Sequence, residues 1–181
     1  MHHFPKKMCL IVTAVVAVML SICALAYENE PSDFRGVKWG THIEKLSDMV
    51  LALDGGDFKA YTRKGDKMVI GDATLNSLHY IFYKDEFYCV RIEFAGFSSF
   101  SKIRDEVFRM HGEPAAERYF DRHFYWGGSN TSIKLDYDDS TETGELGYKF
   151  LPIDFQIDED ERMKATGGAG EAAERSMSTS Q

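Results

Sequence analysis

The chain has 181 residues, 44% of them hydrophobic and 13% aromatic, and a net charge of −8. That composition supplies a core of ordinary domain size and excludes a globally disordered chain. Residues 1–26 carry Lys6 and Lys7 and no acidic residue, so without them the charge deepens from −8 to −10. Such a surface repels phosphate backbones, and nucleic acid is not an expected partner.

The first stretch reads as an export signal. Residues 2–7 form a basic leader, residues 9–25 an uncharged apolar run, and Ala24-Leu25-Ala26 puts small residues where a signal peptidase needs them. Cleavage after Ala26 leaves a periplasmic or secreted chain beginning at Tyr27, with no integral membrane span. Two alternatives stand beside this one. The apolar run is nearly long enough to stay as an N-terminal membrane anchor. Leu20-Ser21-Ile22-Cys23 has the outline of a lipid-attachment box with Cys23 as the modified residue, although Ile22 occupies a position that such boxes fill with Gly or Ala. Of three cysteines only Cys89 lies beyond the signal, so no internal disulfide is expected and the core must hold the fold together. Cys89 itself reads as a small buried hydrophobe in mid-strand, with a thiol that pairs between chains as the alternative.

An α+β domain is expected over residues 33–155. A connector, 33–40, leads to Thr41-His42-Ile43-Glu44, which fits a capping box. Ile43, Leu46, Val50 and Leu53 follow at helical spacing and predict a helix over 42–53, stopped by Asp54-Gly55-Gly56-Asp57. Strands are predicted at 58–63 and 67–75, with Gly71 marking a bulge or bend. Residues 75–96 then form a hairpin about Lys84-Asp85-Glu86. Leu78, Tyr80 and Phe82 alternate on one face of its first strand, and Tyr88, Val90, Ile92 and Phe94 on one face of its second. Phe100, Ile103, Val107 and Met110 predict a second helix over 97–112, ended by Gly112 and Pro114. Three more strands are expected at 119–126, 131–137 and 146–151. Residues 158–181 are acidic, then rich in Gly, Ala and Ser; without apolar periodicity they are expected to form a disordered tail. The architecture predicted is an antiparallel sheet with two short helices packed on one face, and the recurrence over 41–95 and 98–151 is compatible with two helix-plus-strands units.

Residues 34–41, Phe-Arg-Gly-Val-Lys-Trp-Gly-Thr, resemble the opening of a group of uncharacterised bacterial exported proteins that begin Phe-x-Gly-(Ile or Val)-x-Trp-Gly-(Thr or Ser) straight after a signal peptide. Tyr80-x-Phe82, Gly112-x-Pro114 and Tyr125-Trp126 extend the resemblance over roughly residues 33–151. The group has no assigned activity, so no functional residue follows from it. More distantly, the order of helices and antiparallel strands is similar to that of the small outer-membrane assembly lipoproteins and of the β-lactamase-inhibitor protein fold. That resemblance implies a protein that binds other proteins and catalyses nothing.

The chemistry-bearing residues agree with a non-enzymatic chain. His42, His79, His111 and His123 form no H-x-x-x-H or H-E-x-x-H pattern. Asp121-Arg122-His123 can orient an imidazole, but an acid two positions away on a strand is commonplace. Asp136, Asp138 and Asp139 crowd a strand end without the spacing of a calcium loop. Gly127-Gly128-Ser129 lies between strands and is no nucleophile elbow. No catalytic residue, cofactor or metal site is therefore expected. The feature left is aromatic: His79, Ile81, Tyr83, Phe87, Arg91 and Glu93 fall together on the hairpin face opposite the core set. They form a mixed patch suited to a partner protein, expected to be another envelope protein, unless the connector and Trp39 cover that face. The alternatives are a small-ligand or metal-binding module and an enzyme in which two of His79, His123, Asp121 and Asp136 converge in a concave site.

Overall fold

The computed structural model describes residues 29–118 and 122–178; the predicted signal, Cys23 and Asp121 lie outside them. The chain enters through a two-strand hairpin, β1 (Asp33–Phe34) and β2 (Val37–Lys38), whose Arg35-Gly36 turn needs positive φ at both residues, +50° and +82°. A single 3-10 turn, Ile43–Lys45, follows, with His42 as its cap. The main sheet has eight antiparallel strands. Its first half is β3 (Met49–Gly55), β4 (Phe58–Arg63), β7 (Ser77–Tyr83) and β8 (Glu86–Ala95), with the short hairpin β5 (Val69–Ile70) and β6 (Ala73–Thr74) inserted. Helix α1 (Phe97–His111) then leads to β9 (Ala116–Arg118), β10 (His123–Gly127), β11 (Thr131–Asp138) and β12 (Thr143–Phe150), and helix α2 (Leu151–Ser178) ends the chain. The sheet order is β3-β4-β7-β8-β12-β11-β10-β9, two four-strand meanders joined at their last strands, with Leu146 opposite Ile92.

The α+β class, an antiparallel sheet with two helices, is the one the sequence predicts. The first predicted helix, 42–53, is corrected: after one 3-10 turn the chain extends into β3. Leu51 pairs with Tyr61 and Leu53 with Ala60 around a bulge, and Gly55-Gly56 is a hairpin turn rather than a helix stop. Pairing with β4 supplies partners for the backbone groups that face it, and Val50 and Leu53, unlike Ile43 and Leu46, do not reach the core. Val50, Leu51 and Leu53 are exposed along this outer strand. Gly71 is the turn between β5 and β6, and the strand expected over 119–126 is β10, preceded by β9.

The two helices lie on opposite faces of the sheet, which corrects the expectation of one face. Alternation along β7 and β8 puts Leu78, Tyr80, Phe82, Val90, Ile92 and Phe94 in one cluster, and Ile81, Tyr83, Tyr88 and Cys89 in the other. Helix α1 closes the first, with Phe100, Ile103 and Val107 buried. Phe100 stacks on Tyr137 at 5.0 Å, and Phe108 meets Trp126 edge-on at 5.5 Å. The Trp126 indole donates to the Gly112 carbonyl at 2.9 Å. A Cβ at Gly144 would lie 2.2 Å from the Phe94 ring, so only glycine lets β12 pass.

Helix α2 covers part of the second face. Pro152 falls at its start, where its missing N–H costs nothing. Ile153 and Ile157 are buried against Tyr83 and Tyr88, each contributing about 1.5–3 kcal/mol. Beyond Ile157 no described side chain of α2 is buried. The composition of the predicted tail accounts for that lack of core, while the backbone continues as helix to Ser178. Asp160 takes hydrogen bonds from the Tyr83 hydroxyl and from Lys84, both at 2.7 Å, and Lys164 meets Asp57 at 2.9 Å.

Candidate functional site

The predicted patch divides three ways. Phe87 is wholly buried in the core, stacked on Trp39 at 4.8 Å. The cause is a bulge: Ile81 pairs with Cys89 but Phe82 with Phe87, so Tyr88 is the extra residue and Phe87 and Tyr88 exchange faces. The connector favours this arrangement, since Gly40 and Thr41 exchange backbone hydrogen bonds with Phe87 where β12 no longer reaches. Trp39 therefore packs on the core side, and it is α2 that covers the far face. Tyr83 is on that face but only 2% exposed, beneath α2. His79, Ile81, Arg91 and Glu93 remain on the far face, half-exposed or exposed.

Past the edge of α2 the far face is open and concave. One cleft of about 910 Å³ is lined by Arg91, Glu93, His123, Asp136, Asp138, Asp139 and Glu145, among others. A second, of about 570 Å³, adjoins it over Gly147 and Cys89 and reaches Tyr125, Lys149 and Asp154. The register places these groups: His123 faces Asp136, Arg91 faces Gly147, and Glu93 faces Glu145. Gly147 contributes no side chain, which keeps the floor low beside Arg91.

The charges here are paired. Arg91 binds Glu145 at 2.7 Å and lies 3.8 Å from Glu93, which also accepts from the Ser77 hydroxyl at 2.8 Å. Asp136 is shared by His123 Nδ1 and by Lys134 at 2.6 Å. Arg122 pairs with Asp139 and lies over the Phe97 ring at 4.5 Å. Asp138 caps its turn through Ser140, whose amide and hydroxyl hold its carboxyl below the usual range. Burial pushes the Cys89 thiol up to about 12, which makes it inert as a nucleophile.

Of the four candidates, two of which an enzyme would need to converge, His123 and Asp136 do meet in the larger cleft. His79 sits on β7, in register with Arg91. Two of the hydroxyls lining the cleft are held by neighbours, Ser140 by Asp138 and Thr143 by Thr141. His42 caps the 3-10 turn. His111 is buried at the end of α1, its Nδ1 3.0 Å from the Asn29 carbonyl; burial lowers its pKa, and that hydrogen bond opposes the shift. Among the described residues no group of His, Cys, Asp and Glu has the arrangement of a metal site, and no helix is long and apolar enough to cross a membrane.

The structure adds a clip at the N-terminus that none of the expectations covers. Glu30 accepts hydrogen bonds from the backbone amides of Ser129, Asn130 and Thr131. Burial alone would raise its pKa, but these three donors outweigh that and hold it below the usual carboxylate range. Asn29 and Pro31 continue the clip through Met110 and the Trp39 indole. The Ser-Asn-Thr turn after Gly127-Gly128 was the available signal, because such turns can present successive amides to an anion. Comparison of the chain with models of protein families, with curated proteins and with solved structures finds no match.

Proposed function

We propose that this is an exported, non-enzymatic binding protein of the cell envelope, acting in the periplasm or outside the cell after cleavage at Ala26. Its site is the open half of the far sheet face, and its partner is another envelope protein that presents a positively charged segment. The observation that carries this reading is the surplus of carboxylates in the larger cleft. Glu93, Asp136, Asp138, Asp139 and Glu145 line it against Arg91, and Arg91, Lys134 and Arg122 are each already paired with one of them. A Lys or Arg entering the cleft meets carboxylates with acceptor positions to spare, and the acidic chain as a whole steers such a partner toward it.

The test is a photo-crosslinking residue at Arg91 or Tyr125 in the protein as its host exports it. One discrete adduct is expected, and it should disappear in the charge reversal Asp136→Lys/Glu145→Lys. An adduct pattern no different from that of a crosslinker at Lys38 would refute the reading. One observation favours a second reading, a proton-transfer enzyme: the contact of His123 with Asp136 in the cleft. A reaction assigned to this protein that survives His123→Ala unchanged would eliminate it.

A further inference from the structure

We infer that the far-face strip beneath α2 receives an amphipathic helix of another protein, and that α2 is its occupant in cis. The strip is made by Phe58 on β4, Ile81 and Tyr83 on β7, and Tyr88 on β8; the Phe58 ring lies 4.8 Å from that of Tyr83 and 6.2 Å from that of Tyr88. It adjoins the open groove and shares Ile81 with the smaller cleft, but the inference does not rest on the groove's function.

Three observations point to a cover rather than to a piece of the core. Among the described side chains of α2 only Ile153 and Ile157 are buried, while Phe155 and Met163 are 65% and 63% exposed. Past Ile157 the helix is held, among the described residues, by polar contacts alone: Asp160 with Tyr83 and Lys84, and Lys164 with Asp57. Such contacts exchange readily with water and salt. Finally, β12 runs into α2 without a linker, Phe150 ending the strand and Leu151 starting the helix. The helix therefore peels from its far end about one junction, as weakly packed terminal elements do.

The cis occupant specifies the chemistry of a competitor. Ile153, Ile157, Asp160 and Lys164 recur at i, i+4, i+7 and i+11, one face of a helix. A partner helix must bring two aliphatic side chains one turn apart, a carboxylate for Tyr83 and Lys84, and a base for Asp57. A second copy of this chain is the poorer occupant. The Leu151 amide is bonded to the Asn130 carbonyl at 2.7 Å, which ties the root of α2 to its own β10–β11 turn and leaves it no slack to reach across.

The probe is a fluorescent peptide with the sequence of residues 151–166, titrated by anisotropy against the full chain and its Ile153→Ser/Ile157→Ser variant. The variant, unable to seat its own helix, should bind at least about tenfold tighter than the parent, because a site occupied in cis is open only a fraction of the time. A peptide carrying Ile153→Ser/Ile157→Ser should lose that gain, one carrying Asp160→Ala only a smaller part of it, and Asp136→Lys/Glu145→Lys in the full chain should leave it unchanged. A variant whose sheet amides stay protected but which binds no better than the parent overturns the inference. So does a variant whose sheet loses protection, for then α2 belongs to the core. The parent should sediment as a monomer; a dimer joined through exchanged α2 helices would assign the strip to a second copy and overturn the partner assigned here.

Discussion

The two faces of the sheet are built from the same strands and have opposite characters. On the core face, Trp126, Phe94, Phe100 and Ile103 are buried to 2% or less and the rings interlock across α1. On the far face, two isoleucines and a few ion pairs close one end, and paired charges line the open remainder. Because successive side chains of a strand point to opposite sides, one set of backbone hydrogen bonds serves both, so stability and accessible chemistry are separated by a single sheet thickness. A face that must exchange contacts with another molecule can stay weakly packed without endangering the fold.

That contrast can be broken most sharply from the core side. Trp126→Ala should cost about 3–5 kcal/mol by urea denaturation, as a cavity in an interior that cannot collapse around it. Gly144→Ala, which drives a methyl into the Phe94 ring, should cost about 1–3 kcal/mol, and pairing it with Phe94→Leu should recover part of the loss. On the far face Ile157→Ala should cost no more than about 2 kcal/mol; a loss equal to that of Trp126→Ala would erase the distinction between the faces.

Acid should weaken the N-terminal clip in two stages. His111 has its pKa lowered by burial, so its stabilising contribution is complete above its ordinary value of 6.5 and is lost as pH falls below that. Glu30, lowered by three amide donors, contributes fully above its ordinary 4.5 and loses that contribution below it. Melting temperature against pH should flatten just below 6.5 in His111→Gln, and only below 4.5 in Glu30→Gln. The smallest effect is expected for Asp160→Ala: faster amide exchange confined to α2, with the sheet's melting unchanged.

The parts of the fold legible in the sequence are those where pattern and packing agree. Helix α1 follows from Phe100, Ile103 and Val107, and β7, β11 and most of β8 from strict alternation. Residues 42–53 misled because Ile43, Leu46, Val50 and Leu53 satisfy helical spacing, while the partner strand that wins, β4, is known only from the tertiary pairing. The Tyr88 bulge has no residue signature, and it alone moved Phe87 from the predicted patch into the core. Helix α2 is signalled by Pro152 and by Ile153 and Ile157 one turn apart, but that stripe is short and a Gly-rich sequence without apolar periodicity follows it. The meeting of His123 with Asp136 depends on the register of β10 against β11, which no local pattern fixes.

The outermost strand, β3, bears on how concentrated this protein can become. It offers the outward-facing backbone groups of a seven-residue strand beside Val50, Leu51 and Leu53, the last 67% exposed, whereas the opposite margin, β9, is three residues long. Chains meeting along β3 would pair edge to edge if it were straight and uncharged. The kink at Ala52 and the carboxylate of Asp54 stand against that pairing, so removing Asp54 is expected to lower solubility before it alters folding.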